Sequence, residues 1–178
     1  AVASVLPESV SSAVPIAVVG LAGQAGPWSS SRAFTQRVLL GEGALADRIQ
    51  KPAYNRLEII PSEVDLCGAD IEIPRLENHV QRVKLALEPL RSGDRFEVIV
   101  IDCPPTLGVL TLNAFAAADY LLVPLQCEYY ALEGISMINR LLNQLRDTGV
   151  NPRLELLAVI MTMFDGRTTN ANEILTEL

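Results

Sequence analysis

The sequence predicts an α/β fold, a mostly parallel sheet flanked by helices, and three observations carry that expectation. Glu97 to Ile101 reads as a strand whose core, Val98-Ile99-Val100-Ile101, is a continuous β-branched run. A run of that kind suits a strand enclosed on both faces, as parallel strands are. Short apolar runs recur at Ile16–Val19, Leu57–Ile60, Leu121–Val123 and Leu156–Met161. Between them lie stretches with three- and four-residue apolar spacing, long enough to serve as right-handed helical crossovers.

Composition bounds the rest. A chain of 178 residues with 49% apolar and 20% charged residues has enough material for one globular core. The net charge of −7 argues against a protein coated in nucleic acid on every face, while leaving room for a local basic patch. Cys67, Cys103 and Cys127 form no CxxC pair, which disfavours a zinc knuckle or a disulfide framework and suits a reducing compartment. His79 is the only histidine, so His-based zinc sites and Ser-His-Asp triads have little to draw on. No stretch approaches the roughly 20 apolar residues of a membrane span. The apolar piece Ala13–Ala25 is broken by Pro15, Gly20 and Gly23 and has no basic leader, which argues against a signal peptide. The first residue is Ala1, as in a fragment or a processed chain.

Taken in order, residues 1–15 are small, Ser-rich and interrupted by Pro7 and Pro15, and read as a poorly ordered start. Strand Ile16–Val19 leads into a glycine-rich turn at residues 20–26 and a helix over Arg32–Leu40. Gly41–Gln50 reads as a short helix stopped by Pro52, and Leu57–Ile60 as a strand ended by Pro61. Residues 65–91 place Leu76, Val80, Val83, Leu87 and Leu90 at helical spacing, interrupted near the start by Pro74. His79 falls here, away from any acid or nucleophile, as a surface or packing residue. After the central strand come a helix over Leu107–Ala118, a strand Leu121–Val123 ending at Pro124, and a polar aromatic loop Gln126–Tyr130. A helix over Ala131–Arg146 is closed by Gly149, the usual place for a left-handed cap. Strand Leu156–Met161 is followed by a polar loop over residues 163–170 and the beginning of a helix towards Leu178.

Chemistry concentrates at Asp102. It ends the central strand, and Cys103-Pro104-Pro105 forbids the strand to continue, since proline offers no ladder donor and restricts the residue before it. Open α/β sheets bind ligands at the carboxyl ends of their strands, and an acid there can hold magnesium beside phosphates. The alternative is an aspartate that merely caps the next segment. The strand, glycine turn and helix around residues 16–40 have the outline of a phosphate cradle. Pro27 and Trp28, however, stand where such a loop needs a lysine and a hydroxyl, so a plain turn is the other reading.

Four segments bear a closer likeness. They are residues 57–62 with Asp65-Leu66-Cys67-Gly68-Ala69-Asp70-Ile71-Glu72; Val100-Ile101-Asp102-Cys103-Pro104-Pro105-Thr106-Leu107-Gly108; Val123–Gly134, with its PLQCEYYALEG string; and Met161–Thr168. Over about residues 38–178 the sequence resembles the ParA/Soj group of chromosome- and plasmid-partitioning ATPases, of the deviant Walker P-loop class. The resemblance implies a P-loop NTPase-like fold, incomplete at both ends, with a divergent N-terminal segment at 1–37 and a ParA-like α/β domain at 38–178. It implies that Asp102 is the Walker B acid, catalytic and magnesium-binding, and that Cys103–Gly108, with Pro104, Pro105 and Gly108, senses the γ-phosphate. Gly23 and Gly26 fall on the glycines of the phosphate loop, and Arg167 on an arginine used for DNA, a contact that positions rather than reads bases. Gln126 and Glu128 fall near the dimer interface. The implied ligands are ATP and Mg2+. The implied partners are DNA bound without regard to sequence, a ParB-like centromere-binding protein and a second copy of the chain, with no membrane, in a cytoplasmic, nucleoid-associated setting.

The departures from the family are as specific. Laid on the family loop KGGVGKTT, its two lysines meet Ala22 and Pro27. The family's second strand, with an Asp-x-Asp-Pro-Gln run, has no counterpart between Ser31 and Val38–Gly43. Two expectations follow: a partitioning ATPase with impaired hydrolysis, or a non-enzymatic remnant scaffold that binds a protein partner or DNA. A MinD-like membrane role would call for a basic amphipathic terminal helix, whereas Asn172–Leu178 carries two glutamates and no lysine. A nitrogenase-reductase-like cluster role would call for cysteines paired across a dimer; Cys103 and Cys127 match the partitioning motifs better.

Overall fold

The computed structural model describes residues 16–20, 38–61, 69–93, 95–104, 106–126, 131–164 and 167, with 16–20, 69–70 and 131–132 described by their backbone. The chain forms two compact units that divide after Ala117.

In the first unit, β1 (Ile16–Gly20), β2 (Leu57–Ile60) and β3 (Val98–Asp102) make a sheet of order β2-β1-β3, with both pairings parallel. Register runs from Ile16 opposite Leu57 and Val98 to Gly20 opposite Asp102. The strand expected at 57–60 has those bounds, and the one expected at 16–19 extends to Gly20. The central run departs from expectation in burial. Val98 to Ile101 are half-buried rather than enclosed, and β3 is an end strand of its three-stranded sheet.

The segment expected to be helical over 65–91 is several pieces. Residues 62–68 lie outside the described residues; α1 (Ala69–Glu72) leads into a 3-10 turn, Ile73–Arg75, and α2 (Arg82–Arg91) follows. Pro74 sits in the first turn of the 3-10 piece, where a missing N–H costs little. The break lies later. Leu76 is extended and Asn78 takes φ 54°, a left-handed conformation that asparagine tolerates. The Gln81 N–H then bonds the Asn78 carbonyl at 2.8 Å and turns the chain into α2. Pro89 removes one rung of the α2 ladder, the bond to the Leu85 carbonyl, on a turn where Leu85 is exposed.

Val83, Leu87 and Leu90 of α2 are buried, as are Leu110, Ala114 and Phe115 of α3 (Val109–Ala117), and the two helices pack together. Val38, Leu39, Leu45, Ile60 and Ile73 complete this core. The short helix expected over 41–50 is a single 3-10 turn, Leu45–Arg48. Gly41 (φ 104°) and Gly43 (φ 87°) hold the backbone before it out of helical space. A Cβ at Gly41 would also stand 2.9 Å from Arg82 Nη2, so that guanidinium would have to shift. Arg82 Nε donates to the Leu39 carbonyl at 2.6 Å and so closes the helical residues 38–40; the rest of the helix expected at 32–40 lies outside the described residues.

In the second unit, β4 (Tyr120–Gln126) and β5 (Glu155–Thr162) pair in parallel around α4 (Ala131–Asp147). The strand expected to end at Pro124 runs two residues further, with Pro124 opposite Ile160. Proline is tolerated in edge strands, and among the described residues β4 has one partner in this two-stranded sheet. Leu142, Leu145 and Leu154 of this unit are buried. Gly149 has the expected left-handed φ, 71°, and its N–H bonds the Arg146 carbonyl at 3.0 Å. Asn151 Nδ2 donates to the Ala118 carbonyl at 2.7 Å and fixes the entry to β4. Among the described residues, no helix is long and apolar enough to cross a membrane.

Candidate functional site

Asp102 is the last residue of β3 and is exposed there. It lies level with Gly20, the last residue of β1, from which the glycine-rich segment departs. A parallel pairing therefore brings the acid and the start of that segment to one end of the sheet. No ion pair to Asp102 is found among the described residues. The described residues also hold no group of three side chains able to bind a metal.

The loop that follows is tied at both ends. Cys103 Sγ donates to the Ile101 carbonyl at 3.7 Å. Burial, and secondarily the Asp102 charge, push its thiol up to about 11, so it is a neutral donor at physiological pH. Pro104 is half-buried, and Pro105 lies outside the described residues. Thr106 and Leu107 are exposed at the crown of the loop. Gly108 starts α3, its carbonyl accepting the Leu112 N–H at 3.1 Å. Thr111, buried in the first turn of α3, donates through Oγ1 to the Thr106 carbonyl at 2.6 Å.

Asn113, fully buried, anchors the same helix to α2. Its Nδ2 donates to the carbonyls of His79 at 2.7 Å and Val109 at 2.9 Å, and its Oδ1 accepts the Val83 N–H at 3.2 Å. That N–H belongs to the first turn of α2, where a helix has no internal partner for it. His79 is exposed, a surface rather than a packing residue, and contributes a backbone carbonyl. Thr111 and Asn113 were not singled out in the sequence. The signal was there: two polar residues within the apolar helix VLTLNAFAA must find partners once buried.

The charged cluster of this unit lies at the opposite, amino ends of the strands. Glu58, 7% exposed, accepts from Arg95 Nη2 at 2.7 Å and has Lys51 Nζ at 3.9 Å. Arg95 stacks 5.1 Å from the Phe96 ring centre, and Arg56 lies 3.9 Å from Glu97. These pairs lie away from the Asp102 end.

Gly23 and Gly26 of the expected phosphate loop lie outside the described residues, as does Glu128. Gln126 is exposed at the end of β4, opposite Thr162. Arg167 is exposed and belongs to the second unit.

Comparison with known proteins bears on this geometry. The family model of the AAA domain matches residues 24–156. The chromosome partitioning protein ParA of Caulobacter vibrioides is 40% identical over 137 residues, which cover 77% of this chain and 51% of that protein. The sporulation initiation inhibitor protein Soj of Bacillus subtilis is 39% identical over 144 residues, covering 79% of this chain and 54% of its own length. The chain thus spans about half the length of the curated relatives it matches. Among solved structures, the cobyrinic acid a,c-diamide synthase of Mycobacterium smegmatis, with bound ATP analogue and magnesium, superposes with a TM-score of 0.80 at 31% identity, over 93% of this chain and 69% of that one. The chain therefore belongs to this AAA-domain family and, within it, to the ParA/Soj group.

Proposed function

We propose that this chain is the nucleotide-binding part of a ParA/Soj-type partitioning ATPase. In this reading it binds ATP with Mg2+, pairs with a second copy, and holds DNA without sequence preference, in concert with a ParB-like partner in the cytoplasm. Residues 38–178, together with β1, which pairs with both β2 and β3, form the ParA-like part, and the rest of 1–37 is a divergent leading segment. The observation that carries the reading is Asp102, exposed at the end of β3 and level with Gly20.

The donor chemistry fits the ion. Magnesium prefers hard oxygen ligands and commonly takes one or two carboxylates together with phosphate oxygens and water. A single exposed aspartate at a strand end supplies such an oxygen, and bound Mg2+ would neutralise phosphate charge there. Asp102 holds and orients, while the backbone of Cys103–Gly108 meets the terminal phosphate. Most of the catalysis in phosphoryl transfer comes from such positioning and charge stabilisation. The chain's own shortfall is positive charge, because Ala22 and Pro27 replace both loop lysines. Losing one stabilising group of this kind costs about 2.7–4 kcal/mol of barrier, so hydrolysis in this chain is slow. Arg167, exposed in the second unit, is the proposed phosphate-backbone contact for DNA.

Calorimetry with ATP–Mg2+ on the wild-type chain and on Asp102→Ala tests the reading. Binding tighter than about 100 μM, roughly −5.5 kcal/mol, and lost in the variant, is the expected result. No heat from the wild type would overturn it. Pro27 and Trp28 favour a second reading, a non-enzymatic scaffold. It is distinguished by salt-sensitive DNA binding that ignores nucleotide and weakens in Arg167→Ala.

A further inference from the structure

We propose that Thr111 is a positioning residue for the phosphate-facing loop: its buried hydroxyl holds the Thr106 carbonyl and thereby fixes how far residues 103–108 stand from a bound terminal phosphate. The proposal rests on the nucleotide reading of Asp102.

The bond is unusual for its place. Threonine is a mediocre helix former, and Thr111 is the third residue of α3. A hydroxyl in a first turn is well placed to serve its own helix. Thr111 Oγ1 instead reaches back five residues to Thr106 at 2.6 Å. Thr111 is 3% exposed, so water has little access to replace the hydroxyl. Thr106 and Leu107 are exposed, which makes this the single described side-chain anchor on the crown of the loop. The two neighbouring ties lie at its ends, Cys103 on Ile101 and Leu112 on Gly108. Without the Thr111 bond, the segment between those ends is free to swing while the strand and the helix stay as they are. Recognition of a phosphate oxygen by backbone groups requires placement within about 0.5 Å, so a loosened crown weakens ATP selectively. ADP has no group at that position.

The test uses the full chain with Cys67→Ser and Cys127→Ser, leaving Cys103 as the reporter thiol. In Thr111→Val, maleimide alkylation of Cys103 without nucleotide is expected to rise at least about fivefold, as local opening becomes easier. Affinity for ATP–Mg2+ is expected to fall about tenfold while that for ADP–Mg2+ stays within about twofold. Thr111→Ser, which keeps the hydroxyl, restores both readouts. Thr111→Ala is the second variant without a hydroxyl and carries the same expectation if the valine variant does not fold. An alkylation rate unchanged in the hydroxyl-less variants overturns the proposal. So does an equal loss of ATP and ADP affinity, or a serine variant that behaves like valine. If the wild type binds neither nucleotide, the functional reading falls and takes the phosphate part of the proposal with it; the alkylation comparison still decides whether Thr111 holds the loop.

Discussion

Replacing Asn113 by alanine removes a side chain that makes three hydrogen bonds at 2.7, 2.9 and 3.2 Å. The three losses are not equal. The Val109 carbonyl keeps its helical partner, the Asn113 N–H four residues on, so its loss is small. The His79 carbonyl and the Val83 N–H are different. Val83 lies in the first turn of α2, which offers that N–H no partner within the helix. Each buried group left unpaired costs about 1–3 kcal/mol. Two such groups give roughly 2–6 kcal/mol, and about 3 kcal/mol is expected because the cavity left by the side chain can admit a water that repairs part of the loss. In a chain of this length that is a fall in Tm of about 6–12 °C. Urea unfolding followed by far-UV circular dichroism measures it, read as a shift in midpoint at constant slope. Aspartate at the same position keeps the acceptor for Val83 but loses both donors and buries a charge, so it should be no better than alanine. A loss under about 1 kcal/mol for Asn113→Ala would refute the claim that this side chain joins α2 to α3.

Three other outcomes are expected. Gly41→Ala must adopt φ 104° and place its Cβ 2.9 Å from Arg82 Nη2, so it should lose about 1–3 kcal/mol of stability; Arg82→Ala in the same background relieves the contact but not the backbone strain, and thermal melts of the two variants should separate these causes. Glu58→Gln and Arg95→Ala should show a coupling of at most about 1 kcal/mol in a double-mutant cycle, because Arg95 is 45% exposed and water screens the pair; additivity within error would mean the 2.7 Å contact contributes nothing measurable. Cys103 ionises near 11 rather than at the ordinary 9.0, so its alkylation rate should climb through that higher range. The folded state holds the proton more tightly, so the associated stability is complete below pH 9 and is lost as pH rises towards about 11. Cys103→Ala should show a smaller decline over that window, measured by urea unfolding at a series of pH values.

Much of the molecule was legible because its signals are local. The strand ending at Asp102, the Leu57–Ile60 strand and the Gly149 cap each depend on a few consecutive residues and stand where the sequence puts them, although the burial of Val98–Ile101 on both faces does not. The misreadings share one cause. The sequence ends the strand at Pro124, yet it continues to Gln126, because tolerance depends on whether the missing donor faces a partner strand. The sequence suggests a helix over Gly41–Gln50, but two glycines with positive φ and the guanidinium of Arg82, 41 residues beyond Gly41, leave only one 3-10 turn. Pro74 is the break the sequence offers between α1 and α2, while the backbone turns at Asn78.

The sequence by itself determined the parallel α/β class, the acid at the end of the Val98–Asp102 strand and membership of the partitioning family, since each is written in short runs of residue types. Only the tertiary structure decided that Asp102 stands level with Gly20, that Thr111 grips the loop beyond it, and that Asn113 caps a helix 30 positions earlier in the chain. The physical reason is the range of the interactions. Propensity and turn chemistry act over a few residues, whereas register and buried polar pairing join segments that sequence spacing does not relate, and they exist only once the chain has closed on itself.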